Sequence, residues 1–252
     1  MIQALIVVLI LLCCGGLLGP AVVQVREAAY RAECMNNLKQ LAMAVENYED
    51  TYCKFPPAGE TNSDLPPEKR LSWIVASYPF VEASNLYSRM DHKKGWDAEE
   101  NRFAVTETRI KILDCPGYAA PPTGDFIPTC YVGITGIGPD AITLPMEDNR
   151  AGFFGYQRTL KREDLKGRSD STLMLVETSQ VHGAWTAAGS PTTRGVIPDS
   201  SSYIGAGGQF GGNHRHCANV AFADGSVRFI EDNLDPAAWE AMATLSGKGN
   251  RE

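Results

Sequence analysis

The first 25 residues form the most apolar segment of the chain. Met1 to Val25 contains no charged side chain, and nearly all of the 20 residues from Ala4 to Val23 are apolar. A helix of that length spans about 30 Å, the thickness of a hydrocarbon layer. A cleaved signal would need a basic residue ahead of the run, and Leu11-Leu12-Cys13 before Cys14 matches a lipoprotein signal poorly. The pattern therefore predicts a retained transmembrane anchor over residues 1–25.

The next segment keeps the helical period but is apolar on one side only. Charged residues occupy the other faces, and Phe55-Pro56-Pro57 marks the end of the helix. We therefore predict that residues 26–52 continue the helix outside the membrane and pack their apolar side on a head formed by residues 53–252. That apolar stripe consists of Met35, Leu38, Ala42, Val45, Tyr48 and Tyr52.

Small residues cluster late in the predicted anchor. Gly15, Gly16 and Gly19 precede Pro20, which is expected to kink the helix. Glycine allows close approach of neighbouring membrane helices, so these four positions are candidates for helix packing in the membrane.

The sequence pattern of the head predicts short helices, loops and strands. Thr172 to Val176 is a plausible buried strand, and Asp235-Pro236 begins a last helix that Gly247 ends. Asp224-Gly225 suits a two-residue type I′ turn, which would pair Phe222 with Val227. Residues 182–213 are rich in Gly, Ser and Thr and read as a long surface loop. The predicted fold class is α+β, a long N-terminal helix packed on a mostly antiparallel sheet.

Segments along nearly the whole chain resemble a large bacterial family that has a prepilin-type N-terminus and a C-terminal H-x9-D-G motif. That family is usually described as similar to the major pseudopilin of type II secretion, and it resembles type IV pilins. The resemblance implies a pilin-like fold. The matching text includes Pro20-Ala21-Val22, Arg26-Glu27-Ala28-Ala29, Cys34-Met35-Asn36-Asn37-Leu38-Lys39-Gln40, Phe55-Pro56-Pro57, Cys115-Pro116, Tyr131-Val132-Gly133, and His214 nine residues ahead of Asp224-Gly225.

The start of the chain departs from that family. Members begin with a basic leader and Gly-Phe-Thr-Leu-x-Glu, the site cut by the prepilin peptidase. Here Met1 falls after the expected cleavage site, and Gln3 stands where the Glu would be. We expect either that a leader lies upstream of this start or that this member is a static membrane anchor. Gln3 cannot supply the charge that the Glu is thought to contribute to filament assembly.

Composition and charge limit the kinds of partner, cofactor and crosslink that we expect. The formal net charge is −7, and the 23 Lys and Arg residues form no basic block, so we expect no nucleic-acid binding. No cofactor motif stands out, since the Gly-rich stretch at 205–212 lacks a following Lys. In an oxidising compartment the five cysteines outside the predicted anchor permit up to two disulfides, whose pairing stays open, and five free thiols are an equally good interpretation. They are Cys34, Cys53, Cys115, Cys130 and Cys217.

Few residues suggest a metal site or a ligand-binding surface. His214 and His216 share one face of an extended segment, and Asp224, together with Glu177, could complete a metal site. The alternative, which we favour, is structural: His214 fixes a loop, and Asp224 with Gly225 forms a turn. Trp185 could offer a stacking surface for a sugar or peptide, although a lone aromatic is more often packed locally.

These observations lead to one expectation and two rivals. The resemblance implies a non-enzymatic, pseudopilin-like structural or assembly component, with other pilin-like subunits or secretion machinery as partners. It would be anchored by a single pass in the bacterial inner membrane, with the head extracytoplasmic. The first rival is a membrane-tethered module that binds carbohydrate or peptide. The second is a metal-dependent hydrolase using His214, His216 and Asp224.

Overall fold

A long helix and a five-stranded sheet make up most of the regular structure. The computed structural model describes residues 2–81, 85–117, 125–180, 183–198, 203–205, 207–212 and 214–248, without the side chains of residues 2, 4–20 and 85. The helices are α1 (Ile2–Tyr52), α2 (Trp73–Ser77), α3 (Asn85–Arg89), α4 (Arg102–Thr106) and α5 (Pro236–Ala243). The strands are β1 (Tyr131–Ile137), β2 (Leu173–Glu177), β3 (Thr193–Val196), β4 (Cys217–Phe222) and β5 (Val227–Glu231).

The sheet is mixed, and its strand order is β3-β1-β2-β4-β5. β1 pairs with β3 in parallel, whereas the pairs β1–β2, β2–β4 and β4–β5 are antiparallel. The three central strands β1, β2 and β4 are buried along their whole length, because both faces of the sheet are covered. The predicted α+β class, a long helix with a mostly antiparallel sheet, is confirmed.

The second half of α1 covers one face of the sheet, and α5 covers the other. α1 contacts β4 more than any other strand. The buried stripe of α1 is centred on Leu38, Leu41 and Val45, at the three- and four-residue steps that one helix face requires. On the opposite face Trp239 of α5 packs with Phe210. Each buried side chain of this size stabilises the fold by roughly 1.5–3 kcal/mol.

The first half of α1 extends away from these contacts. Across the part of the chain whose side chains are described, no helix combines the length and the apolar character needed to cross a membrane. Most of the predicted anchor over residues 1–25 lies outside those residues. The proposed packing positions Gly15, Gly16, Gly19 and Pro20 lie outside them as well.

The β4–β5 hairpin has a different register from the one predicted. Ala221 pairs with Val227, and the Phe222 N–H donates to the Ser226 carbonyl, so the loop has three residues, Ala223 to Gly225. A type I′ turn needs positive φ at two positions, but of these three residues only Gly225 has it, with φ of 72°. A left-handed Gly closing a three-residue loop is the next most common hairpin geometry.

The segment 182–213, predicted to be a surface loop, is in large part buried. It contains β3, and its Trp185 is fully buried with the indole N–H donating to the Ala104 carbonyl at 3.1 Å. Trp185 is therefore packed locally, as favoured from the sequence, and the alternative of a stacking surface is wrong. The Gly, Ser and Thr residues misled the prediction because their polar groups are satisfied inside the head, as for Thr192, whose hydroxyl donates to the Ala187 carbonyl.

A pH-dependent contact ties the segment after α1 to the region of α3. The Nδ1 of His92 lies 2.8 Å from a Glu60 carboxylate oxygen, and its Nε2 lies 3.0 Å from the Tyr87 carbonyl. Both partners are acceptors, so only the doubly protonated imidazolium satisfies both contacts. The hydrogen bond to Glu60 raises the pKa of His92 above its ordinary value of 6.5.

His92 is therefore expected to stabilise the fold below its unfolded pKa and to lose that contribution as pH rises through the raised folded pKa. Replacing His92 by Gln should cost about 0.5–1 kcal/mol of unfolding free energy in acid, since the pair is partly exposed, and nearly nothing in alkali. Urea unfolding at about pH 5 and about pH 9 measures the difference. Lys93→Gln, at the exposed neighbour of His92, is the control. An equal cost at both pH values would contradict the expectation.

Candidate functional site

Three separate segments bring sulfur and nitrogen atoms together beneath α1. Cys34 lies on the buried stripe of α1, Cys115 lies before β1, and His214 lies just ahead of β4. The sulfurs of Cys34 and Cys115 are 2.7 Å apart, and the Cys115 sulfur is 3.5 Å from the His214 Nε2. Among the described residues these three form the single group of His, Cys, Asp or Glu side chains close enough to share a metal ion.

Two carboxylates face His214. Its Nδ1 lies 2.9 Å from a Glu27 oxygen of α1, and its Nε2 lies 3.8 Å from a Glu177 oxygen at the end of β2. Burial opposes the charged imidazole, but the sulfur of Cys115 and the two carboxylates outweigh it and raise the pKa of His214 to about 9. The thiol of Cys34 and burial raise the pKa of Cys115, which leaves its sulfur uncharged at neutral pH. Glu27, in direct contact with Nδ1, is the carboxylate that pairs with the charged imidazole.

Glu177 is the most deeply buried acid in the cluster. Its side chain is 0% exposed, and Asn219 of β4 donates to one carboxylate oxygen at 2.8 Å. The other oxygen, Oε1, and the Asn219 Oδ1 have no hydrogen-bond partner among the described residues. Burial raises the pKa of Glu177, although the neighbouring His214 opposes this. A proton on Glu177 would supply the donor that these two acceptors lack.

The sulfur geometry favours a disulfide over a metal site. Two thiolates on a tetrahedral zinc ion, each with a bond of about 2.3 Å, hold their sulfurs about 3.8 Å apart. The separation of Cys34 and Cys115 is more than an ångström shorter. Both sulfurs are thiols in the structure, and they need to approach by less than an ångström to reach bonding distance.

The structure separates the three residues that the less favoured alternative placed on one metal ion. His214 is buried, whereas His216 is 84% exposed and its Nδ1 lies 2.9 Å from an Asp232 oxygen. Asp224 is exposed in the hairpin loop, where its carboxylate accepts from the Ser226 N–H. The group actually formed around His214 contains cysteines in place of His216 and Asp224.

His214 and Gly225 both attach β4 to α1, one at each end of the strand. His214 contacts Glu27, and the carbonyl of Gly225 accepts a hydrogen bond from the Lys39 ammonium at 2.7 Å. A side chain at position 225 would also meet the Glu46 carboxylate. Since β4 fills the space between these contacts, the spacing of His214 and Asp224-Gly225 matches a strand held to the helix at both ends.

The remaining cysteines are dispersed. Cys53 is exposed at the end of α1, where it has a left-handed φ of 54°. Cys130 is buried next to Cys115, and burial raises its pKa to about 12. Cys217 is buried near Arg31, and burial raises its pKa as well. Of the five predicted candidates, Cys34 and Cys115 are therefore the pair in direct sulfur contact.

Comparison with known proteins identifies the family. Residues 23–202 and 178–237 match a family described as a protein of unknown function, DUF1559. The chain belongs to the DUF1559 family. No curated protein and no solved structure gives a significant match.

The sequence of this DUF1559 chain indicates only some of the residues that form the cluster around His214. Cys34 lies one helical turn before Leu38, so the helical period places it on the buried stripe. From the sequence, Glu177 is already a possible ligand beside His214, but Glu27 carries no comparable signal, because its contact with His214 joins residues 187 positions apart. Only the packed fold brings them together.

In DUF1559 protein purified without reductant, we expect a disulfide between Cys34 and Cys115. Peptide mapping should recover the two cysteines in one crosslinked species. Because the bond closes a loop across 81 positions of the chain, its loss should cost up to about 4 kcal/mol of stability, reduced by any strain.

Cys34→Ser and Cys115→Ser should each abolish the crosslink and lower the melting temperature equally, because the two sulfurs form one bond. Cys53→Ser, at an exposed thiol, is the matched control and should leave both properties unchanged. Rapid alkylation of Cys34 and Cys115 in the unreduced, unfolded chain would contradict the disulfide.

Proposed function

We propose that this DUF1559 protein is a membrane-tethered structural subunit, pseudopilin-like in its plan, that assembles through its N-terminal helix. The observation that carries the proposal is the exposed apolar part of α1. Val22, Val23 and Val25 are 62%, 65% and 70% exposed. They continue an apolar sequence that begins at Ala4, and an apolar stretch of this size requires either lipid or another apolar helix around it.

The attachment of α1 to the head supports the same function. Four contacts fasten the helix: Cys34 to Cys115, Glu27 to His214, Lys39 to Gly225, and Glu49 to Arg162 at 2.6 Å. A subunit that assembles through a helix needs such a connection, because the head keeps a fixed orientation in the assembly only if it is held rigidly on the helix. The proposed place is the bacterial inner membrane, with the head outside the cytoplasm and secretion or surface-structure machinery as partner.

The two rival functions have less support. The hydrolase requires His214, His216 and Asp224 to share one ion, and these side chains have separate partners. The sugar- or peptide-binding module required a stacking surface at Trp185, which is buried.

The anchor is tested by extracting membranes that contain the full chain with alkaline carbonate. We expect the native protein to stay in the membrane pellet and a Leu9→Asp, Leu12→Asp variant to be released, since each Asp costs about 2.5–3.5 kcal/mol at the centre of a membrane helix. The control places two Asp residues at the same spacing on the head half of α1, at the exposed positions Gln40 and Met43. Release of the native chain by carbonate would refute the anchor.

Assembly is tested separately by crosslinking in intact membranes. Replacing Gly15, Gly16 and Gly19 by Leu should abolish oligomers while the protein stays in the membrane, because the larger side chains prevent close helix approach. The control replaces Ala4, Val7 and Val8 by Leu. If the glycine variant forms oligomers as the native protein does, the protein is a tether and the assembly function is wrong.

A further inference from the structure

A cavity of about 340 Å³ lies at the β3 edge of the sheet, away from α1 and from the cysteine cluster. Ile142, Tyr156, Ile197 and Phe210 supply apolar walls. The polar residues of the lining are Thr135, Gln180, Ser190, Thr193, Arg194 and Gln209. This volume is at the lower end of the range for small-molecule sites. Most of the surface exposed in the cavity is nevertheless apolar, which is typical of sites that bind organic ligands.

Arg194 is the unusual member of this wall. Its side chain belongs to a residue that is only 9% exposed, and it has no carboxylate partner within the described parts of the chain. One terminal nitrogen donates to the Thr178 hydroxyl at 2.9 Å, and the other donates to the Gln180 carbonyl at 2.5 Å. The Nε–H has no acceptor among the described residues. The Arg194 guanidinium therefore has five N–H donors but only two hydrogen-bond acceptors among the described residues.

The charge of Arg194 persists despite this burial. Burial lowers the pKa of Arg194 to about 10, which still leaves the guanidinium protonated at neutral pH. A buried cation without a counter-ion is costly, and an anion placed against it would remove most of that cost.

Arg158 shows how this fold satisfies a buried arginine that has only a structural role. It is as deeply buried as Arg194, and burial also lowers its pKa to about 10. Its Nε–H, like that of Arg194, has no acceptor among the described residues, but its two terminal nitrogens donate to four backbone carbonyls, and it does not line the cavity. The four acceptors are the carbonyls of Thr135, Ala141, Leu144 and Phe154. Arg194 has half as many acceptors and borders open space.

We propose that this cavity binds a small organic carboxylate, with the carboxylate on Arg194 and the apolar part of the ligand against Ile142, Tyr156 and Phe210. The planar guanidinium matches a carboxylate through paired hydrogen bonds, and the apolar walls exclude competing water. This site is independent of the assembly function, since no residue of α1 contributes to it.

The test titrates the full-length protein with hexanoate, hexanamide and inorganic phosphate at neutral pH, using calorimetry. Hexanamide has the same chain and similar partitioning into detergent, so it isolates the contribution of the charge. We expect hexanoate to bind saturably and at least about tenfold more tightly than hexanamide, with no binding of phosphate. Equal binding of hexanoate and hexanamide, binding of phosphate instead, or no binding of hexanoate would each overturn the proposal.

Two variants locate the site. Arg194→Met removes the guanidinium and keeps an unbranched apolar stem, and it should reduce hexanoate affinity at least about tenfold. Arg150→Met is the matched control, because Arg150 is paired with Asp140 at the surface and should not affect binding. Ile197 is 44% exposed at the cavity mouth, so the larger side chain of Ile197→Trp should block hexanoate binding. This variant tests the site if Arg194→Met does not fold. Retention of native affinity by a folded Arg194→Met or by Ile197→Trp would refute the site.

Discussion

The packing of the second half of α1 on the sheet is the constraint on which the rest of the structure depends. The stripe around Leu38, Leu41 and Val45 covers β4 and β2 and converts one face of the sheet into core. Without the helix, strands that are buried along their whole length would expose that face to water. The cysteine pair, the histidine cluster and the hairpin contact all lie along this interface, and each is formed only when the helix is in place.

The polar groups under the helix give this interface a defined register. An apolar stripe alone tolerates sliding, because one leucine can replace another at similar cost. Glu27 to His214 and Lys39 to Gly225 are directional contacts at two points of α1, and a shift of one residue would break both. Burying His214 between Glu27 and Glu177 costs desolvation of all three groups, so its value lies in specificity more than in stability.

Local sequence patterns predicted the elements that residues close together in the sequence determine, such as helix faces and helix ends. The helical period placed most of the stripe of α1, although Tyr52 is exposed, and it placed the end of the helix near Phe55. Asp235 caps α5, where its side chain accepts from the Ala237 N–H. The hairpin register was missed because Asp-Gly suits both two- and three-residue loops. The burial of Trp185 and the surroundings of His214 and Arg194 depend on contacts between distant segments, which no short pattern encodes.

The two proposed activities place different demands on the same head. Assembly through α1 requires the helix to be fixed to the sheet, and the contacts of Glu27, Cys34 and Lys39 meet that requirement along one face. Ligand binding requires an opening in the packing, and this occurs at β3, the edge strand that α1 does not cover. β1 and β2 separate β3 from the strand that α1 mainly contacts, so the cavity can bind and release a carboxylate while the helix interface stays intact. A head built this way could carry a ligand site into an assembly, because occupancy at Arg194 places no demand on the contacts that hold α1.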